Sequence, residues 1–301
     1  MESRNLEENS MWKALAAGTA VLGAGLYLRS EYEKRHFAVE ELSIASPKLI
    51  REHRFVFITD VHDKEFGPEN RMLLQAIRKV KPEGILIGGD MMVSREENGQ
   101  SDALLEKTFV LLKGLVSIAP VYYSLGNHEM RLGAEREVYG DSYDRLLKGA
   151  GELGVHMLVN RQIFPGQDLA VAGVNLPSVF YRNLLFKKPH PISGEYLGRR
   201  LGEAQKERFQ ILMMHSPLYF KECREWGADL TLAGHFHGGT IRIPKLGGLM
   251  TPQYQFFLPW CAGNFYQDGR WMAVGRGLGT HSVNIRLNDQ PQVLVICLRP
   301  Q

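Results

Sequence analysis

The chain has 301 residues, 44% hydrophobic and 23% charged, with a formal net charge of +3. That length holds one large domain or two small ones, and the composition excludes disorder over most of it. So small a charge, with no basic run beyond pairs such as Lys187-Lys188 and Arg199-Arg200, gives no footing for nucleic acid and argues against a nuclease.

Ala14 to Leu28 carries no charge, and Met11-Trp12-Lys13 extends it. At about 1.5 Å per residue this reaches the lower edge of a bilayer-spanning length. A single transmembrane anchor, a cleaved signal peptide and a soluble hydrophobic helix all fit. A signal peptide wants a basic leader. Here Glu2, Glu7 and Glu8 precede the run, against Arg4 and Lys13. That favours a membrane protein with a single-pass anchor over residues 1–30, on a side of the membrane that the flanking charges leave open. Residues 31–51 read as a linker and a leading strand, and 52–301 as the folded domain.

Arg54-Phe-Val-Phe-Ile-Thr-Asp60 is a buried strand ending in an acid. Asn70 to Lys81 spaces Met72, Leu73, Ala76, Ile77 and Val80 as a helix, closed by Lys81-Pro82. Gly84 to Asp90 is a second strand ending in an acid, Leu104 to Ile118 a second helix, and Val121 to Leu125 a third strand opening into Gly126-Asn-His-Glu129. Tyr143 to Leu153 is a weaker third helix. Strands then follow at 156–159, 169–174, 209–214, 229–233, 271–274, 283–287 and 292–298. Alternating β and α in the first half indicates an α/β domain with a largely parallel sheet. The later strands predict a second sheet packed on the first. No internal repeat is visible.

Polar groups recur at the strand ends. Asp60 and His62 form Asp-x-His, Asp90 ends Gly-Gly-Asp, and Asn127 and His128 lie in Gly-Asn-His-Glu. His215 ends Leu-Met-Met-His, and His235 and His237 form Gly-His-Phe-His. Ligands of open α/β sheets bind at the carboxyl ends of strands, so these clusters converge on one place. Each alone has a plain reading: a surface turn for Asp-x-His, a helix cap for Asp90, a turn for Asn127, a satisfied core histidine for His215. Together, carboxylates, imidazoles and an amide oxygen suit Mn, Fe, Zn, Co or Ni better than Ca or Mg. The three cysteines are far apart and join no motif. Buried carboxylates need a cation, and a metal pair supplies one.

This ordered set resembles the calcineurin-like metallophosphoesterases over about residues 52 to 300. The resemblance implies a four-layer α/β/β/α sandwich of two mixed sheets flanked by helices (the metallophosphatase fold). It implies a binuclear centre of two divalent transition-metal ions. One ion would be held by Asp60, His62, Asp90 and His237, the other by Asp90, Asn127, His215 and His235. It makes Asp90 and His128 catalytic, and has Asn127 and His128 bind the substrate. His128 protonates the leaving oxygen or stabilises the transition state. A metal-bridging hydroxide would attack phosphorus. The stretch Gly234 to Gly248, followed by Val274 to Gly279, resembles the branch with an N-terminal membrane segment, related to enzymes that hydrolyse UDP-diacylglucosamine. Many members carry a small polar residue at the position of Phe236, glutamine at that of Thr240, and an acid where Met91-Met92-Val93 stand.

Two stretches bear on substrate. Leu246 to Trp260 holds Leu249, Met250, Tyr254, Phe256, Phe257, Leu258 and Trp260. It reads as a loop packed on the sheet or as an apolar wall for a lipid tail. Arg182, Lys187, Lys188 and His190 form a solvated loop or meet anionic head groups. Glu129 is expected to orient a ligand or a loop. The expected activity is that of a phosphodiesterase or pyrophosphohydrolase on a lipid-linked or other small-molecule phosphoester, including nucleotides. A non-catalytic scaffold of the same fold is the alternative, and it predicts eroded ligands.

Overall fold

The computed structural model describes residues 2–98, 100–185, 187–280 and 283–301. In chain order the elements are α1 (Glu2–Arg35), β1 (Ala38–Ser46), β2 (His53–Ile58), α2 (Arg71–Val80), β3 (Gly84–Ile87), α3 (Ala103–Val116), β4 (Val121–Tyr123), α4 (Asn127–Ala134), α5 (Arg136–Tyr139), α6 (Ser142–Glu152) and β5 (His156–Met157). The second half contains β6 (Arg161–Ile163), β7 (Leu169–Val174), α7 (Gly194–Leu201), β8 (Phe209–Met214), α8 (Phe220–Trp226), β9 (Leu230–Ala233), β10 (Arg242–Ile243), β11 (Gly247–Gly248), β12 (Gly263–Gln267), β13 (Arg270–Val274) and β14 (Gln292–Pro300).

Two six-stranded sheets form, in the orders β1-β14-β2-β3-β4-β5 and β12-β13-β9-β8-β7-β6, beside a small β10-β11 ribbon. In the first, β2, β3, β4 and β5 run parallel, and β14 is antiparallel to β2. In the second, β13, β9, β8 and β7 run parallel, with antiparallel edge strands β12 and β6. Both sheets are therefore mixed. The parallel strands end on the same side, which aims the loops after β2, β3, β4, β8 and β9 at one region.

Strand alternation divides the core. From β2, Phe55 and Phe57 point between the sheets, where they join Leu86, Val171, Ile211, Met213 and Leu232. Val56 and Ile58 point outward, into a cluster with Leu73 and Ile77 of α2 and Leu111 and Leu112 of α3. On the far side, Leu212 and Met214 of β8 pack with Leu197 of α7 and with Cys223 and Trp226 of α8. The domain is thus the α/β/β/α sandwich, preceded by one apolar helix.

Several elements differ from the sequence reading. β14 returns to the first sheet and lies between β1 and β2 instead of extending the second. Residues 283–287 form no strand among the described residues; backbone and side-chain bonds to α1 and to the neighbouring loop satisfy them instead. α1 continues through Arg35, past the expected end at residue 30, because its last turns dock on the domain. Helices α4, α7 and α8 form where no helix is evident in the sequence, each only 7 or 8 residues long. Segments so short gain their stability from packing on the sheets rather than from propensity.

Within α1, Met11–Arg35 is long and apolar enough to cross a membrane. Met91 and Met92 are buried in the helix-side core. Phe57 is 1% exposed at the centre of the inter-sheet layer. Phe57→Ala should cost about 3–5 kcal/mol in chemical denaturation, the cost of a large core cavity. A loss below about 1 kcal/mol would mean that the two sheets do not pack as described.

Candidate metal centre

The strand-end residues leave their strands through left-handed turns. φ is 50° at Asp60, 48° at His62, 55° at Asp90, 68° at His235 and 48° at His237. Non-glycine residues adopt this conformation at a cost, and such strain persists where the surroundings over-determine it. The close approach also demands glycine nearby. A Cβ on Gly234 would lie 2.3 Å from Asp60 Oδ2, and one on Gly126 would lie 2.2 Å from Asp90 Oδ1. Glycine alone fits at those two places.

The turns bring the groups together. Asp60, His62 and His237 form one buried cluster whose ligand atoms all lie within 4.8 Å of one another; Asp90, His215 and His235 form a second, and His62, Asp90 and His128 a third. His215 Nε2 stands 3.1 Å from Asp90 Oδ2, and His237 Nε2 stands 3.4 Å from Asp60 Oδ1. His62 Nε2 is 3.9 Å from both Asp60 Oδ1 and Asp90 Oδ2. His62 Nε2 and His237 Nε2 are 3.0 Å apart.

The supporting bonds fix which atoms face inward. His215 Nδ1 donates to the Gly88 carbonyl at 2.7 Å, and His237 Nδ1 donates to the Gly279 carbonyl at 3.2 Å. Each ring then turns its Nε2 toward the centre, and in the neutral form that atom carries the lone pair that binds metal. Asp60 accepts the His235 N–H and the Thr59 hydroxyl. Asp90 Oδ1 accepts the His128 N–H of α4 at 2.9 Å. No helix follows Asp90 directly, so it is not an N-cap of its own segment; it accepts from the first turn of α4, whose N-cap is Gly126, and leaves Oδ2 facing His215. The Asn127 side-chain oxygen is buried with no hydrogen-bond partner among the described residues.

Acceptor atoms therefore face acceptor atoms, an arrangement that only protons or cations stabilise. The titration preferences express this. Burial pushes the Asp60 carboxyl up to about 7, against the charge of His215. Burial also pushes at Asp90, but the charge of His215 and its hydrogen bond hold it well below the usual carboxylate range. Burial pulls His215 down, yet Asp90 beside it raises it to about 10. Divalent metal ions fit this donor set of carboxylate, imidazole and amide oxygen.

Other residues support or overlook the centre. Glu129 is fully buried and accepts the N–H groups of Asp90, Met91 and Gly126 at 2.8–2.9 Å and the Tyr123 hydroxyl at 2.6 Å. It ties the loops after β3 and β4 together. Ser94 donates its backbone N–H to His128 Nδ1 at 3.0 Å, with its hydroxyl at 2.8 Å. The Tyr181 ring meets His235 edge-on at 4.9 Å and His215 at 5.8 Å. Neither Ser94 nor Tyr181 sits in a motif, so the sequence held no signal for them. Phe236 is fully buried, whereas Thr240 lines a cleft together with His237. Arg182, Lys187, Lys188 and His190 lie on or near the surface.

The calcineurin-like phosphoesterase family model matches residues 53–239. The chain belongs to that family and is a metal-dependent phosphoesterase that uses divalent metal ions. It is 24% identical over 310 residues to the uncharacterized metallophosphoesterase YkuE of Bacillus subtilis (strain 168), covering 99% of this chain and 98% of that one. It is 26% identical over 253 residues to phosphodiesterase YaeI of Escherichia coli (strain K12), covering 81% of each. The crystal structure of TT1561 of Thermus thermophilus superposes with a TM-score of 0.44 at 10% identity, over 75% of this chain and 90% of that one.

Two outcomes are expected. Glu129→Ala leaves three buried N–H groups without their acceptor and should cost about 3 kcal/mol or more, read by urea unfolding. His215 carries a proton below about pH 10. A metal that displaces it should release about one proton per chain at about pH 8, and affinity should rise with pH up to about 10. Calorimetric titration in buffers of different ionisation enthalpy reads the release; a binding heat independent of buffer would contradict it.

Proposed function

We propose that the chain hydrolyses a phosphodiester or pyrophosphate on two divalent transition-metal ions. Asp60, His62, Asp90 and His237 hold one ion; Asp90, Asn127, His215 and His235 hold the other, with Asp90 between them. The observation that carries this is the pair of buried three-residue clusters that meet at the Asp60 and Asp90 carboxylates. Such a pair, when bound, supplies Lewis acidity toward the phosphoryl oxygens and a nucleophile at neutral pH. The protein's own part is placement and charge. Asn127 and His128 stand at the first turn of α4, where its N–H dipoles favour an anion. The Ser94 N–H makes Nδ1 of His128 an acceptor, which puts the ring proton on Nε2. That favours a role for His128 as a hydrogen-bond donor to charge developing on phosphoryl and leaving oxygens. The full ligand set argues against the scaffold alternative.

For the substrate, the apolar surroundings favour a lipid-linked phosphoester over a nucleotide. The cleft that His237 lines with Thr240, Thr251 and Arg286 also has Met250, Pro252, Tyr254, Val283 and Ile285 in its wall. Ile285 also lines a second cleft with Leu26 and Tyr27 of α1, whose apolar part we read as a membrane anchor. Leu246, Tyr254, Phe256, Phe257 and Trp260 are 39–59% exposed nearby in sequence. An apolar chain attached to the phosphoester would lie along this surface while its phosphorus reached the centre.

Activity on bis-p-nitrophenyl phosphate should be abolished by a chelator and restored by Mn, Zn, Fe, Co or Ni but not by Ca. Asp90→Asn should lose metal and turnover together. His128→Ala should keep the metal and lose at least about a hundredfold in kcat, the scale of one transition-state donor. Ile285→Asp should raise KM for a long-chain phosphodiester about tenfold, the effect of losing an apolar contact, and leave the nitrophenyl ester unchanged. Full activity in both Asp90→Asn and His128→Ala would refute the assignment.

A further inference from the structure

The last turns of α1 are built into the domain. Over residues 11–28 the helix is exposed, but Ser30 is 4% and Glu33 1% exposed. The Glu33 carboxylate accepts the backbone N–H of Asn288 at 3.2 Å and of Asp289 at 2.9 Å. Ser30 Oγ accepts the N–H of Arg286 at 3.1 Å, and Lys34 Nζ donates to the Asn284 carbonyl at 3.1 Å. The helix end thus holds the segment 284–289, which among the described residues has no sheet partner beyond the single bridge of Leu287 to Ile241.

That segment delivers Arg286, a fully buried arginine. Its guanidinium donates to the Asp289 carbonyl at 2.9 Å and to Asp289 Oδ2 at 3.3 Å. It also donates to the carbonyls of Arg276 at 2.9 Å, Gly277 at 3.3 Å and Gly279 at 2.6 Å. A rigid fork of five donors can gather several carbonyls at once; an ammonium cannot reproduce that geometry. Burying this charge is tolerable because the carbonyls and Asp289 surround it.

The loop that Arg286 gathers bears directly on the centre. The Gly279 carbonyl that takes its shortest bond is the same carbonyl that accepts from His237 Nδ1. Gly279 N donates to the Asp60 carbonyl at 2.7 Å, and Leu278 N donates to it at 3.1 Å. The cluster of Asp60, His62 and His237 therefore rests on a loop that Arg286 ties to the segment bonded to α1. The other cluster does not: His215 Nδ1 is held by Gly88, at the end of β3.

We propose that Arg286 and Glu33 are positioning residues for one ion of the pair, so that the seating of the N-terminal helix sets how tightly the Asp60–His62–His237 side holds its metal. This rests on the ligand assignment proposed above. It gives the helix a second task beyond holding the protein at a surface.

The test uses the full chain in detergent, stripped of metal and titrated with Mn or Zn by calorimetry, with thermal melting of the metal-free protein alongside. Wild type should bind two ions, and His237→Ala identifies which step belongs to the side in question. Glu33→Ala and Arg286→Lys should each weaken that step about 10- to 100-fold, the usual effect of losing a partner behind a metal ligand. They should leave the other step within about twofold. Glu33→Gln, which keeps an acceptor oxygen, should recover part of the loss. Glu33→Ala leaves Arg286 intact, so a failure of Arg286→Lys to fold does not remove the test. A merely structural role would lower the melting temperature and weaken both steps alike, or neither; either pattern overturns the inference. A wild type that binds fewer than two ions would instead overturn the ligand assignment, and this inference with it.

Discussion

Two carboxylates buried at the ends of adjacent strands are the constraint on which the structure depends. Asp60 and Asp90 are at most 1% exposed, and among the described residues neither forms an ion pair with a lysine or arginine. Desolvated negative charge of this kind must be balanced locally. Despite burial, Asp90 raises the proton affinity of the neighbouring His215, which places a positive charge next to the carboxylate. A divalent metal ion can balance the negative charge as well, because imidazole nitrogens cluster beside each carboxylate. The same buried groups that need a neutralising cation are the ones proposed to hold the metal.

Holding that unfavourable cluster requires rigid surroundings. Asp60, His62, Asp90, His235 and His237 all sit in left-handed turns, closed by glycines that pack against the carboxylates. Glu129 and Arg286 work as opposite kinds of clamp. The buried carboxylate gathers N–H groups of the loops after β3 and β4, and the buried guanidinium gathers carbonyls of the loop before β14. Each supplies to loop backbone the partners that strands and helices find among themselves. The centre is thus fixed from the sheet ends inward, chiefly by bonds to backbone.

Much of this was legible beforehand. The apolar runs ending in Asp60 and Asp90 and the helix before Lys81-Pro82 follow from local patterning, since strand and helix periods are properties of neighbouring residues. The site was legible because its members sit in short motifs at strand ends, where topology gathers them. Val283 to Leu287 misled for the same reason. Its alternation resembles a strand, but the hydrogen bonds of this segment and its neighbours go to Ser30, Glu33 and Arg242, and distant partners leave no local trace. The short helices α4, α7 and α8 were hidden because packing, not propensity, holds them.

The sequence by itself determined which chemistry was possible. Carboxylates, imidazoles and an amide oxygen in that order define a donor set, and hydrophobic periodicity defines layers to carry it. Only the tertiary structure decided which atom of each donor points inward, since that follows from bonds to the carbonyls of Gly88 and Gly279 and to the amide of Ser94. It also decided that β14 enters the first sheet and that α1 ends against the domain rather than in a free linker. The physical reason is the same throughout: periodicity is local, whereas the pairing of buried polar groups is settled between residues up to 256 positions apart.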